Sequence, residues 1–133
     1  MKKAVESLEN KNVTVYFGHQ DGLTTLLTMM GINEDSVAPT HDNYPNMPPG
    51  EEERHYHLSK MNPMGGNFGL VLTECDQEPK LRVSAYLQEK LIKLPKCGHT
   101  ECDWDQFKEI YQEAIRCPYD EVCGNTDRTT EFF

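Results

Sequence analysis

The sequence predicts an α/β fold, and three observations carry that expectation. Val13-Thr14-Val15-Tyr16-Phe17 is a continuous β-branched and aromatic run that leads through a polar turn into an apolar helix. Segments 68–75 and 81–87 flank the turn-forming Asp76-Gln77-Glu78-Pro79 and read as an antiparallel hairpin. Residues 103–116 place Phe107, Ile110, Tyr111 and Ala114 three and four positions apart, the spacing of an amphipathic helix.

Taken in order, residues 3–10 read as the end of a helix. Residues 13–17 form a continuous β-branched and aromatic run, so they predict a parallel strand buried on both sides. Ligands in open α/β sheets collect beyond the carboxyl ends of such strands, which is where His19 and Asp21 fall. A cationic imidazole can hold an anionic oxygen while a carboxylic acid two residues on protonates a leaving group, so this pair suits hydrolysis of a phosphate or similar ester. Residues 22–30 predict a helix, stopped by Gly31. From 33 to 63 the composition shifts to Pro, Asn, Asp, Glu and His, and Pro39, Pro45, Pro48, Pro49 and Gly50 forbid long regular structure. A long irregular excursion follows, a plausible substrate-facing edge. Within it, His41-Asp42 has neither a buried strand before it nor an apolar helix after it, and is expected in solvent. His55 and His57 sit beside Glu51-Glu52-Glu53 and are expected to be surface charge.

Beyond Pro63, Gly65 and Gly66 give either a flexible strand entrance or a close backbone approach to the histidine turn. Residues 81–87 alternate with period two, as a half-exposed antiparallel strand does. Asp103 is placed as the N-cap of the helix that follows, and Trp104, the sole tryptophan, is expected to anchor against the sheet. The tail from 124 to 133 carries no usable pattern and is expected to be flexible.

The net charge of −9, from 22 acidic and 13 basic residues, excludes nucleic acid and anionic membrane as natural partners. No apolar run is long enough to span a bilayer, and residues 1–10 lack the apolar centre of a signal peptide. With 37% hydrophobic residues and a mean hydropathy of −0.70, the chain is expected to build only a weak core alone. Five cysteines, an odd number, suit an oxidising compartment and a bond to a cysteine elsewhere. Zinc on Cys97, His99, Cys102 and Asp103 is the alternative use of these groups, but a second ligand pair at finger-like spacing is missing, so no metal or other cofactor is expected. Asn12-Val13-Thr14 is a glycosylation sequon that leads straight into the first strand, where access is poor.

Gly18-His19-Gln20-Asp21 followed by Leu23-Thr24-Thr25-Leu26-Leu27-Thr28-Met29-Met30-Gly31-Ile32 resembles the C-terminal catalytic segment of the histidine acid phosphatases, clade 2 of the histidine phosphatase superfamily. Leu87-Gln88-Glu89-Lys90-Leu91-Ile92-Lys93-Leu94-Pro95-Lys96-Cys97-Gly98 and Cys102-Asp103-Trp104-Asp105-Gln106-Phe107 are similar to that family's late strand, proline-cysteine turn and following helix. The resemblance implies the C-terminal part of a phosphoglycerate-mutase-like three-layer α/β sandwich, with a late hairpin and a C-terminal helix. The whole of 1–133 would then be one partial domain. It also implies a local Cys97–Cys102 disulfide, with Cys117 or Cys123 stapling this segment to the rest of the domain.

By the same resemblance, His19 binds phosphoryl oxygens, and Asp21 protonates the leaving alkoxide and later activates water. Typical members place the acid directly after the histidine. That position is Gln20 here, and Asp21 matches instead the His-x-acid arrangement of the multiple inositol polyphosphate phosphatases, with aspartate for glutamate. The family's nucleophile lies in an Arg-His-Gly-x-Arg motif that these 133 residues lack; Arg54-His55-Tyr56-His57 comes nearest, without the glycine or the second arginine. The expectation is a fragment, inactive alone, whose partners are a small phosphomonoester and the missing N-terminal part of its domain. The resemblance admits a homodimer and an extracellular or lysosomal location. Two other readings stay open: a non-catalytic secreted binding or structural module derived from the fold, and an unrelated disulfide-rich secreted protein.

Overall fold

The computed structural model describes residues 1–10, 13–37, 40–42, 55–122 and 124. The sequon asparagine, the loop residues Pro39, Pro45, Pro48, Pro49, Gly50, Glu51, Glu52, Glu53 and Arg54, Cys123 and positions 125–133 lie outside that set.

The fold is mixed α/β, with an antiparallel sheet of four strands among the described residues and helices before and after it. β1 (Phe68–Glu74) and β2 (Leu81–Leu87) form the expected hairpin, paired along its whole length from Phe68 opposite Leu87 to Glu74 opposite Leu81. The other edge of β2 is shared: β3 (Lys90–Ile92) pairs with 85–87 and β4 (Glu101–Asp103) with 82–84. Every contact is antiparallel, so β2 is the centre of the sheet. Val83, Ala85 and Leu87 on β2 are buried, and Phe68, Leu70 and Leu72 of β1 pack beside them, while Val71 on the opposite face stays exposed. Ser84 departs from the alternation and is buried as well.

The turn from β2 to β3 was not legible. Gln88 and Glu89 occupy it at φ 52° and 63°, the left-handed region a two-residue hairpin requires and which Asn-Gly usually fills. Each such residue costs about 1 kcal/mol or more. Side-chain bonds offset that cost: Gln88 Nε2 donates to the Met61 carbonyl at 3.3 Å, and Gln88 Oε1 accepts from the Asn67 amide at 3.3 Å.

Between β3 and β4, Leu94 and His99 form an isolated bridge around the Pro95-to-Gly98 turn, and Gly98 takes φ 77°. The Cys97–Cys102 disulfide closes this turn, with Cα atoms 5.8 Å apart. The implied local pairing is therefore present.

Helices cover one face of the sheet. Asp103 caps α4 (Trp104–Ile110), its Oδ1 accepting from the Gln106 amide at 2.9 Å. The predicted single helix over 103–116 is divided: the helical geometry of α4 lapses at Tyr111 (φ −103°, ψ 17°) before α5 (Gln112–Arg116). The Tyr111 ring packs against Phe107 at 4.8 Å and its hydroxyl donates to the Met30 carbonyl at 3.2 Å, so this residue answers to a tertiary contact as well as to its own helix. Trp104 is buried and stacked on Phe107 at 5.5 Å, as an anchor should be. Its indole N–H donates to Glu9 of α1 (Lys2–Asn10), which also receives Lys108, and so α1 docks on α4. The short α6 (Tyr119–Val122) follows α5.

α2 (Gln20–Met29) ends as expected at Gly31, φ 72°. The Gly31 amide donates to Thr28 and the Ile32 amide to Leu27, while the buried Leu27 and Ile32 side chains supply the apolar contact that accompanies this Schellman ending.

The expectation for residues 13–17 is corrected. Residues 13–17 form no strand and are not buried: Val13, Val15, Tyr16 and Phe17 are 79%, 65%, 61% and 95% exposed. A strand apolar on both faces needs a hydrogen-bonded neighbour and covering layers. In the sheet present here β1, β3 and β4 each pair with β2, and residues 13–17 pair with none of these strands. The Tyr16 hydroxyl instead lies against α1, 2.9 Å from Ser7 Oγ and 3.2 Å from the Lys3 carbonyl.

Candidate active site

His19 stands at the N-cap of α2 in extended conformation (φ −88°, ψ 163°), with its carbonyl accepting from the Gly22 amide at 3.2 Å and its side chain making no capping bond. Asp21 lies in the first turn, and both side chains are exposed. The predicted pair therefore shares one helix start, where free backbone amides and the positive end of the helix dipole face solvent. An anionic phosphoryl group is attracted to such a terminus. A cavity of about 690 Å³, lined by Ile32, Glu34, His55, Lys93 and Pro95 among others, opens at the opposite end of α2. One helix length, about 15 Å, separates it from His19. The His19 turn is thus an open surface with one wall.

What holds that turn in place was not expected. Asn62, the C-cap of α3 (Leu58–Met61), is buried and donates from Nδ2 to the Gln20 carbonyl at 2.8 Å and to Thr24 Oγ1 at 2.9 Å. Gln20 Nε2 returns a bond to the Asn62 carbonyl at 3.3 Å. Gly66 packs against this bracket; a Cβ there would lie 2.7 Å from Asn62 Oδ1, 2.9 Å from the Pro63 carbonyl and 3.0 Å from Gln88 Nε2. Glycine at 66 is required by close packing at the histidine turn, whereas Gly65, at φ 75°, has open space around it. No spacing rule in the sequence points to Asn62. Its partners are 38 and 42 residues away, and only Gly66, already marked as a site of close approach, lay near it.

The remaining candidates separate clearly. His41 is fully exposed with Asp42 at 3.4 Å, as expected of a solvated loop pair. His55 is exposed and its backbone amide bonds Asp35, whereas His57 is half-buried at the N-cap of α3, so it is an element of the loop's packing rather than a surface charge. Cys75 and Cys117 are free thiols, half-buried and exposed respectively. No cluster of His, Cys, Asp and Glu that would hold a metal occurs among the described residues, and no described helix is long and apolar enough to cross a membrane. Burial raises the Tyr111 phenol above its ordinary value, and Lys108 is raised by its hydrogen bond to Asp105, with Glu9 adding to the effect.

Three curated proteins are similar to the chain, each named multiple inositol polyphosphate phosphatase 1. The one from Drosophila melanogaster is 30% identical over 114 residues, covering 85% of this chain and 23% of its own length. That from Gallus gallus is 26% identical over 132 residues, 92% and 29% respectively, and that from Dictyostelium discoideum 23% identical over 100 residues, 74% and 15%. The chain thus spans less than a third of the curated relatives it matches. No family model matches the sequence, and no solved structure matches it.

Proposed function

We propose that this chain is the proton-donor segment of a phosphomonoesterase of the kind its relatives are named for, acting on inositol polyphosphates or similar phosphate esters through a phosphohistidine. The observation that carries the reading is the shared helix start: an imidazole and a carboxyl, both open to solvent, stand at an anion-attracting terminus within the stretch that resembles those phosphatases. The nucleophilic histidine and the second wall of the site come from polypeptide outside these 133 residues, which also covers the exposed side chains of 13–17. The small phosphate ester is the only partner the chemistry requires. An extracellular or lysosomal setting accords with the Cys97–Cys102 bridge.

In the first step a histidine nucleophile forms its N–P bond as the ester P–O bond breaks, and the Asp21 carboxyl gives its proton to the departing alkoxide. His19 holds the phosphoryl oxygens while charge moves onto them. In the second step the Asp21 carboxylate takes a proton from water as that water forms the new P–O bond and releases the nucleophile. The non-catalytic module remains the second reading, favoured by the absence of an Arg-His-Gly motif in the chain.

The test is leaving-group dependence in the full-length polypeptide. Asp21→Asn is expected to lower kcat on an alkyl phosphate by about 10²-fold or more and on an activated aryl phosphate by far less, because only the alkoxide needs the proton. Equal losses on both esters remove Asp21 from the acid role, and full-length protein without phosphatase activity supports the module. The purified 133-residue chain is expected to release no phosphate.

A further inference from the structure

We infer, on the reading of His19 and Asp21 proposed above, that Asn62 is a positioning residue for that pair, fixing the Gln20–Asp21 peptide from outside the helix that carries it. A first helical turn is the part of a helix with fewest internal bonds, since its amides have no partners behind them. His19 and Asp21 occupy that weak place with side chains in solvent, so their own packing does not fix their direction.

Asn62 supplies what the helix does not. At 4% exposure its amide is out of water, and a buried amide is costly unless its protons are used. Both are used on the turn: one reaches the Gln20 carbonyl, occupying the second lone pair of a group that also serves the helix, and the other reaches Thr24 Oγ1 one turn on. The Gln20 carbonyl belongs to the peptide plane shared with Asp21. Holding it sets the direction from which the Asp21 side chain departs. The returning bond from Gln20 Nε2 to the Asn62 carbonyl makes the bracket reciprocal.

The bracket is itself tied down. The Asn62 backbone N–H donates to the Leu58 carbonyl at 2.8 Å, Met61 is held by Gln88 of the β2-to-β3 turn, and Gly66 closes over Asn62 where no side chain fits. A continuous set of bonds therefore refers the start of α2 to the sheet. It also gives Gln20 an occupation. The residue standing where typical family members carry their acid is engaged with Asn62, which leaves Asp21 as the carboxyl of the turn.

Asn62→Asp, which keeps the shape and loses the two donors, is the test in the full-length polypeptide. It is expected to lower kcat on an alkyl phosphate about tenfold with KM moving less than about twofold, and to lower kcat on an activated aryl phosphate clearly less. Gly66→Ala, which presses on Asn62 from the other side, is expected to give the same split. An unchanged kcat, or equal losses on both esters, overturns the inference. Should either variant not fold, Thr24→Val removes one acceptor at little structural cost, and the same split at smaller size supports the inference while its absence overturns it. If Asp21→Asn has already failed its own leaving-group test, the acid role falls separately. The bracket is then judged by hydrogen exchange at the Thr24 amide, which about tenfold acceleration in Asn62→Asp upholds and an unchanged rate overturns.

Discussion

Two segments of this chain that read as strands, 13–17 and β2, have opposite fates, although 13–17 is the richer of the two in β-branched and aromatic residues. In β2 a neighbour lies along each edge and helices lie above, and Val83 and Ala85 are wholly buried. In 13–17 the same kind of side chains face solvent, with Phe17 at 95% exposure. β-propensity describes a residue's fit to a pleated, half-buried surface, and it has an effect only where that surface is supplied. The hairpin brings its partner within the next few residues. The segment before His19 has to find its own at long range.

The largest effect expected from this contrast is in the packed half. Phe107 is wholly buried between Trp104 and Tyr111, and Phe107→Ala should cost about 3–5 kcal/mol in urea unfolding, by lost transfer energy and an unfilled cavity. A cost under about 1 kcal/mol would mean that this half is as loosely supported as 13–17. Replacing both Cys97 and Cys102 with serine comes next, at about 2–3 kcal/mol, because the unfolded chain regains the freedom of the closed turn. That loss should appear equally in the wild type under a reductant.

A smaller effect follows from Tyr111. Burial raises its phenol above the ordinary 10.0, so the folded state keeps the proton that the unfolded state releases first. Its contribution is whole below pH 10 and declines as pH rises through the folded value, so stability is expected to fall in alkali, and Tyr111→Phe should flatten that fall. Lys108, raised in the same sense and ordinarily titrating at 10.5, adds little because its ion pairs are in solvent.

The smallest effect sharpens the comparison most. Phe17→Ser in the 133-residue chain should change stability by less than about 0.5 kcal/mol, since an exposed ring has nothing to lose. In the full-length polypeptide the same change should cost about 2–4 kcal/mol if the ring is covered there. Equal, negligible changes in both would leave 13–17 as a solvated leader, and the second wall proposed for the His19 turn would have to come from elsewhere.

What the amino-acid order determined by itself was local: the Asp103 cap, the Gly31 stop, the 68–87 hairpin, the Pro95-to-Gly98 turn and the placing of His19 and Asp21 at one helix start. Each depends on residues close enough along the chain for short-range geometry to decide it. Tertiary structure alone decided the exposure of 13–17, the left-handed Gln88-Glu89 turn, the interruption of the last helix at Tyr111 and the Asn62 bracket. In the last three the free energy comes from partners tens of residues away, and a burial or a hydrogen bond exists only once the fold has brought both sides together; 13–17 stays exposed because no such partner is packed on it.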